Sequence, residues 1–213
     1  MIKKETCKLY RSFYDIIHPS ISRKNISEYQ IVFQEEMIPV QIFYPNKEVE
    51  LHHIMIYIPG SSTYHDYYEN LAIKTKQIVL LLDNSSKNKK EDYEKIIHYI
   101  ISEALKCKIN LQDITMISDF QGADWILGLA KNAKYKKEKQ IRKILLSPTI
   151  EDLTKYKLTN TFVLSNNDNQ KPNDMIKHYL IKESIYDFIK DLNGAENDGV
   201  YLKITNFIIG KEE

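Results

Sequence analysis

The spacing of hydrophobic positions changes period repeatedly along the chain. Residues Glu5 to Ile17 carry Leu9, Phe13, Ile16 and Ile17 at helical spacing, and Pro19 stops the pattern. Two alternating segments follow, Tyr29 to Phe33 and Val40 to Tyr44, with Glu35-Glu36 in the polar connection and Pro45 closing the second. That pattern predicts a hairpin. Ile54 to Ile58 is a continuous apolar run ending at Pro59-Gly60-Ser61-Ser62. A helix is expected from Tyr64 to Lys74, and Ile78 to Leu82 is a second apolar run, ending at Asp83.

The second half continues the alternation. Tyr93, Ile97, Ile100, Ile101 and Ala104 form one stripe of a helix over Glu91 to Leu105. The short run Ile114 to Ile117 leads into a helix from Gln121 to Ala133, apolar on more than one face. Ile144 to Leu146 and Thr161 to Leu164 read as strands, stopped by Ser147-Pro148 and by Asn166-Asn167-Asp168. A helix from Ser184 to Leu192 and a last strand from Val200 to Ile209 complete the reading. Strands alternating with helices imply an α/β domain: a mostly parallel central sheet, helices on both faces and an antiparallel N-terminal hairpin. Chemistry in such sheets sits at the C-terminal ends of the strands.

Composition narrows the classes without naming one. The 213 residues suit a single domain spanning 1–213, with 1–28 as an N-terminal helical extension. Hydrophobic residues make up 43% and charged residues 28%, and the net charge of +1 gives no bulk attraction to nucleic acid or membrane. No leader-like or membrane-spanning run is evident. Cys7 and Cys107 show no metal-type or redox spacing, so free thiols in the cytoplasm are expected. Abundant Lys, Asn and Ile suggest an AT-rich bacterial genome. No Gly-rich phosphate loop occurs, and no cofactor is indicated.

The order of these segments resembles the α/β-hydrolase fold, in particular its esterase and lipase branch, over roughly Tyr29 to Leu192. Tyr57-Ile58-Pro59-Gly60-Ser61-Ser62 is similar to the strand and loop carrying that family's oxyanion motif. Asn110 to Ile117 is similar to the approach to its nucleophile strand. Ser118-Asp119-Phe120-Gln121-Gly122 takes the place of its Gly-x-Ser-x-Gly elbow. The resemblance implies a trimmed fold without a lid, because only Thr149 to Asn160 join the sixth and seventh strands.

It also implies what each position must supply. A serine sits on a sharp strand-to-helix turn. A histidine accepts its proton, and a carboxylate orients the histidine. Backbone N–H groups stabilise the developing oxyanion. In this sequence the nucleophile position falls on Phe120 and the first elbow glycine on Ser118, while Gly122 is kept. Asp168 can fill the acid position. No histidine follows His178, which is expected to lie before the final helix.

Several residues offer themselves as replacements. Ser118 and Asp119 are read first as caps of the helix at Gln121. Ser61 and Ser62 are fallback nucleophiles, with His65 or His98 as the base. Tyr64, Tyr67 and Tyr68 are expected either to pack on the sheet or to present an aromatic contact surface. His52-His53 with His65 matches no metal-ligand spacing. The basic run Lys131 to Lys143 is expected to be a solvated helix end.

Three functions compete. The first is a pseudoenzyme binding a protein partner or small ligand around Gly60, Ser61, Ser62, Tyr64, His65 and Phe120, with self-association open to it. The second is an acyl hydrolase with a non-standard serine. The third is an unrelated doubly wound binding domain.

Overall fold

The computed structural model describes residues 26–33, 36–43, 54–60, 65–82, 90–106, 110–131, 141–149, 153–156, 159–166, 176–180 and 195–210. Eight strands form one sheet: β1 (Ile26–Phe33), β2 (Glu36–Phe43), β3 (Ile54–Ile58), β4 (Ile78–Leu82), β5 (Ile114–Asp119), β6 (Arg142–Leu146), β7 (Thr161–Ser165) and β8 (Ile176–Leu180). The described helices are α1 (His65–Thr75), α2 (Lys90–Lys106), α3 (Phe120–Lys131) and α4 (Ala195–Ile209). The sheet runs β1-β2-β4-β3-β5-β6-β7-β8. Only β2 opposes the common direction, pairing antiparallel with both β1 and β4.

The hairpin register explains a proline inside a strand. Pro39 stands opposite Gln30 of β1, while pairing with β4 begins only at Val40. A residue without an N–H is tolerated there because no second ladder reaches it.

Strands β3 to β7 are buried on both faces and divide their side chains by parity. Ile54, Ile56 and Ile58 of β3 join Tyr93, Ile97 and Ile100 of α2 and Ala123, Ile126 and Leu127 of α3. Met55 and Tyr57 join Tyr67, Tyr68 and Leu71 of α1 and Tyr201, Ile204 and Ile208 of α4. Two cores therefore lie back to back across the sheet, as expected when crossover helices cover both faces. Tyr93 stacks on Trp125 with centroids 5.1 Å apart, joining α2 to α3.

The strand order places a switch point between β3 and β5. From β3 the chain crosses to β4 on one side, while β5 pairs on the other. The loop after β3 and the turn after β5 thus meet at the crevice where such sheets hold ligands.

Four expectations need correction. The segment Val200 to Ile209 is helix, not strand. Tyr201, Ile204 and Ile208 are buried while Leu202 and Ile209 are exposed, a helical period that β-branched and aromatic content concealed. Among the described residues the last strand is instead β8, where Ile176, His178 and Leu180 alternate with Lys177 and Tyr179. His178 therefore lies within β8, paired with Val163 in register, rather than in a connection ahead of the expected final helix and last strand. Lys143, expected on a solvated helix end, is a buried residue of β6. Its ammonium donates to the Ile141 carbonyl at 2.7 Å, and burial lowers its pKa from 10.5 to about 8.

The expected helices 5–17 and 184–192 lie outside the described residues, as do His52, His53 and most of the basic run. None of the described helices is long and apolar enough to cross a membrane.

Candidate functional site at the switch point

The junction of β3 and β5 is built by two glycines and two polar side chains. A Cβ on Gly60 would collide with the Asp119 carbonyl and the Gly122 amide nitrogen, and would sit 2.9 Å from the Gln121 nitrogen. A Cβ on Gly122 would collide with the Ser118 hydroxyl and the Ile58 carbonyl. Backbone meets backbone here, so only residues without a side chain fit.

The turn after β5 is correspondingly tight. Helix α3 starts at Phe120, one residue earlier than the hydrophobic pattern predicts, because β5 continues through Asp119. Phe120 has φ of +41°, in the left-handed region that a side-chain-bearing residue enters at a cost of about 1–2 kcal/mol. That conformation is what the elbow imposes on its central residue. Phe120 is half-buried and packs on the core shared by α1 and α4.

Ser118 and Asp119 bind across to β3. The Ser118 hydroxyl donates to the Ile58 carbonyl. The Asp119 carboxylate accepts from the Gly60 backbone N–H and, at 3.1 Å, from the Tyr57 hydroxyl. Asp119 is 1% exposed and Ser118 fully buried. A buried carboxylate is tolerable only with such donors, and here they fix the loop after β3 against the elbow. The pattern of apolar residues carried no sign of this clamp. Only the strand order brings residues 57, 60 and 119 together.

The clamp rests on a tyrosine cluster. The Tyr57 ring meets Tyr68 at 4.6 Å and Tyr67 at 6.0 Å, both edge-on, and Phe43 lies 5.7 Å from Tyr68. Burial first, then the negative charge of Asp119, raises the Tyr57 pKa well above 10. Burial likewise raises Tyr67, so both phenols stay protonated, and Tyr57 donates to Asp119. The alternative of an exposed aromatic surface at Tyr67 and Tyr68 is therefore corrected: both are core residues. Ser61, Ser62, Tyr64 and Asp168 lie outside the described residues. His65 opens α1, and His98 is exposed on α2.

One serine–histidine pair was missed. Ser165 at the end of β7 lies 2.9 Å, oxygen to nitrogen, from His178 Nε2 on β8. The alternation Ile176-x-His178-x-Leu180 was the available signal. Such a distance suits a nucleophile and its base. Ser165 is nonetheless fully buried, so the pair as it stands ties β8 to β7.

Known structures superpose on nearly the whole chain. The fold is that of the α/β-hydrolases. An esterase/lipase from an uncultured bacterium superposes with a TM-score of 0.67 at 10% identity, covering 93% of this chain and 89% of that one. The Francisella virulence factor BioJ gives 0.66 at 11% identity, again covering 93% and 89%. The Pyrobaculum calidifontis esterase gives 0.64 at 11%, with the same coverage. No protein-family model and no curated protein matches the sequence. What is shared is the α/β-hydrolase scaffold.

Proposed function

We propose that this α/β-hydrolase-fold chain is non-catalytic at its elbow and acts by binding a protein partner or small ligand at the C-terminal ends of its parallel strands. One observation carries the reading. The residue at φ +41°, where this turn presents a nucleophile, is Phe120, whose ring has no lone pair to attack with. Its neighbours cannot take over as they stand, because Ser118 is buried on Ile58 and Asp119 is held by Gly60 and Tyr57. The free cysteines expected from their spacing favour a reducing, cytoplasmic setting for this role.

A second reading, an acyl hydrolase using a non-standard serine, has two supports. The printed names of the structural neighbours favour it over the first, since most are esterases. The Ser165–His178 contact at 2.9 Å supplies a nucleophile–base pair, provided the serine becomes accessible.

Intact-mass analysis after incubation with a fluorophosphonate probe separates the two, together with nitrophenol release from short-chain esters. The first reading expects no adduct and no release above solvent. A stoichiometric adduct would overturn it, and peptide mapping would decide between Ser165 and the loop serines Ser61 and Ser62.

A further inference from the structure

The outward stripe of α4 lacks the charge that keeps a surface helix wet. Leu202 and Ile209, two helical turns apart on that stripe, are both exposed, Leu202 to 61%. Between them stand the uncharged, half-buried Thr205 and Asn206, and the Thr205 hydroxyl is turned back onto the Tyr201 carbonyl. The two carboxylates of α4, Glu196 and Asp198, stand in its first turn, and its single cation is Lys203. Apolar exposure continues onto β8, where Tyr179 is exposed and Leu180 is 49% exposed. The Lys203 ammonium lies 3.4 Å from the centre of the Tyr179 ring, which joins the two elements. Further cations edge this face. Lys177 is exposed on β8, and Lys74 of α1 sits 5.3 Å from the centre of the Tyr201 ring. The Arg142 guanidinium reaches Gly210, just past the end of α4. No carboxylate occurs in β8 or in α4 beyond its first turn. The whole-chain charge of +1 conceals this local excess.

We propose that this face docks on an anionic lipid surface, with α4 lying along the headgroup boundary. An apolar stripe edged by cations matches the two layers of such a surface. The acyl boundary takes Leu180, Leu202 and Ile209, and lipid phosphates take the ammonium groups of Lys177 and Lys203. Tyrosine suits the border between them, its ring apolar and its hydroxyl wet. Lysine stems can follow the apolar surface while their charged ends stay among the headgroups. None of the described helices is long and apolar enough to cross a membrane, so the contact is peripheral. A protein partner would need a carboxylate fixed opposite each lysine. Lipid phosphates move laterally and need no register. The inference is independent of whether the elbow is catalytic.

The test is flotation of the full chain with vesicles. Phosphatidylcholine vesicles containing phosphatidylglycerol are expected to carry the wild type at least about tenfold more than pure phosphatidylcholine vesicles, and high salt is expected to weaken that capture. Lys177→Gln with Lys203→Gln is expected to lower partitioning about tenfold. Leu180→Ser with Leu202→Ser is expected to lower it by a similar factor, with the far-UV spectrum unchanged. Should the leucine variant misfold, a fluorophore still reads the face. In a Cys7→Ser, Cys107→Ser background, an environment-sensitive dye on Leu202→Cys is expected to brighten when the anionic vesicles are added. The same dye on Leu105→Cys is expected to stay unchanged, because Leu105 is exposed on α2, which packs on the opposite face of the sheet. No capture, equal capture by both vesicle types, or an equal response of the two dyes overturns the proposal. So does self-association that leaves the Leu202→Cys dye indifferent to lipid.

Discussion

The switch point and the β7–β8 edge both hold serines beside functional-looking neighbours, yet they are built to opposite ends. At the switch point, Gly60, Gly122 and the Asp119 clamp hold Phe120 in a tight left-handed turn. At the edge, Ser165 and His178 have a reactive pairing distance, but the serine is fully buried. The difference shows that the elbow's shape is demanded by the sheet, whatever chemistry it carries. Two backbones must cross closely where β3 and β5 diverge, so glycine and a left-handed residue persist there. A hydroxyl–imidazole contact, by contrast, also arises when two adjacent strands satisfy their polar groups.

The comparison breaks first if the close backbone crossing is not required. Gly60→Ala is expected to lower unfolding free energy by about 3 kcal/mol, since the obstructing atoms are backbone and cannot rotate away. A urea midpoint equal to wild type would show that the loop after β3 has room.

Lys143 gives the next largest effect and serves as a reference, a buried cation on β6 outside the clamp. Its pKa is about 8 folded and 10.5 in the ordinary state. The folded value is depressed, so between those limits the unfolded chain holds more protons and stability from this group rises with pH. Below pH 8 the full penalty of burying the cation applies. The gain from pH 8 to above 10.5 is on the order of 3 kcal/mol. The buried tyrosines oppose it above pH 10, because their raised folded pKa values mean that stability is lost as the unfolded phenols ionise. Lys143→Met should remove the rise between pH 8 and 10 and leave the loss above it. An unchanged profile in chemical denaturation at stepped pH would rule the assignment out.

The clamp itself is expected to contribute less. Asp119→Asn keeps the shape but weakens the bonds from Gly60 and Tyr57, at a cost of about 2 kcal/mol. Faster amide exchange at Gly60 in that variant would sharpen the claim that the carboxylate fixes the loop. Ser165→Ala should cost about 1 kcal/mol if the contact with His178 only joins two strands. Loss of probe labelling in the same variant would point to a nucleophile instead.

The smallest expected effect is the most informative about chemistry. Phe120→Ser restores the hydroxyl at the elbow yet should yield no ester turnover, because no histidine follows β8 to accept its proton. Turnover in that variant, measured by nitrophenol release, would mean that another base reaches the elbow.

Most of the fold was legible from local pattern. The apolar runs 54–58 and 78–82 coincide with β3 and β4, and the helix over Glu91 to Leu105 is α2 extended by one residue at each end. Such elements bury a continuous run or a regular stripe, and burial leaves its period in the sequence. The failures came where that signal was weak. α4 mixes β-branched, aromatic and polar residues, and β8 is an edge strand with Lys and His among its apolar positions. The place of the turn after β5 was also legible, because Phe120 and Gly122 lie three and five residues after the apolar run Ile114 to Ile117.

By itself, then, the sequence determined the alternation of strands and helices, the two-sided burial of the sheet, and which residue types stand at the elbow. All of these depend on neighbours a few positions apart. Tertiary structure alone decided that Asp119 serves Gly60 and Tyr57, that Ser165 meets His178, and that Lys143 is buried. The Asp119 and Ser165 contacts join different strands and Lys143 is buried on β6 between β5 and β7, so all three are set by sheet order and register, which no local spacing encodes.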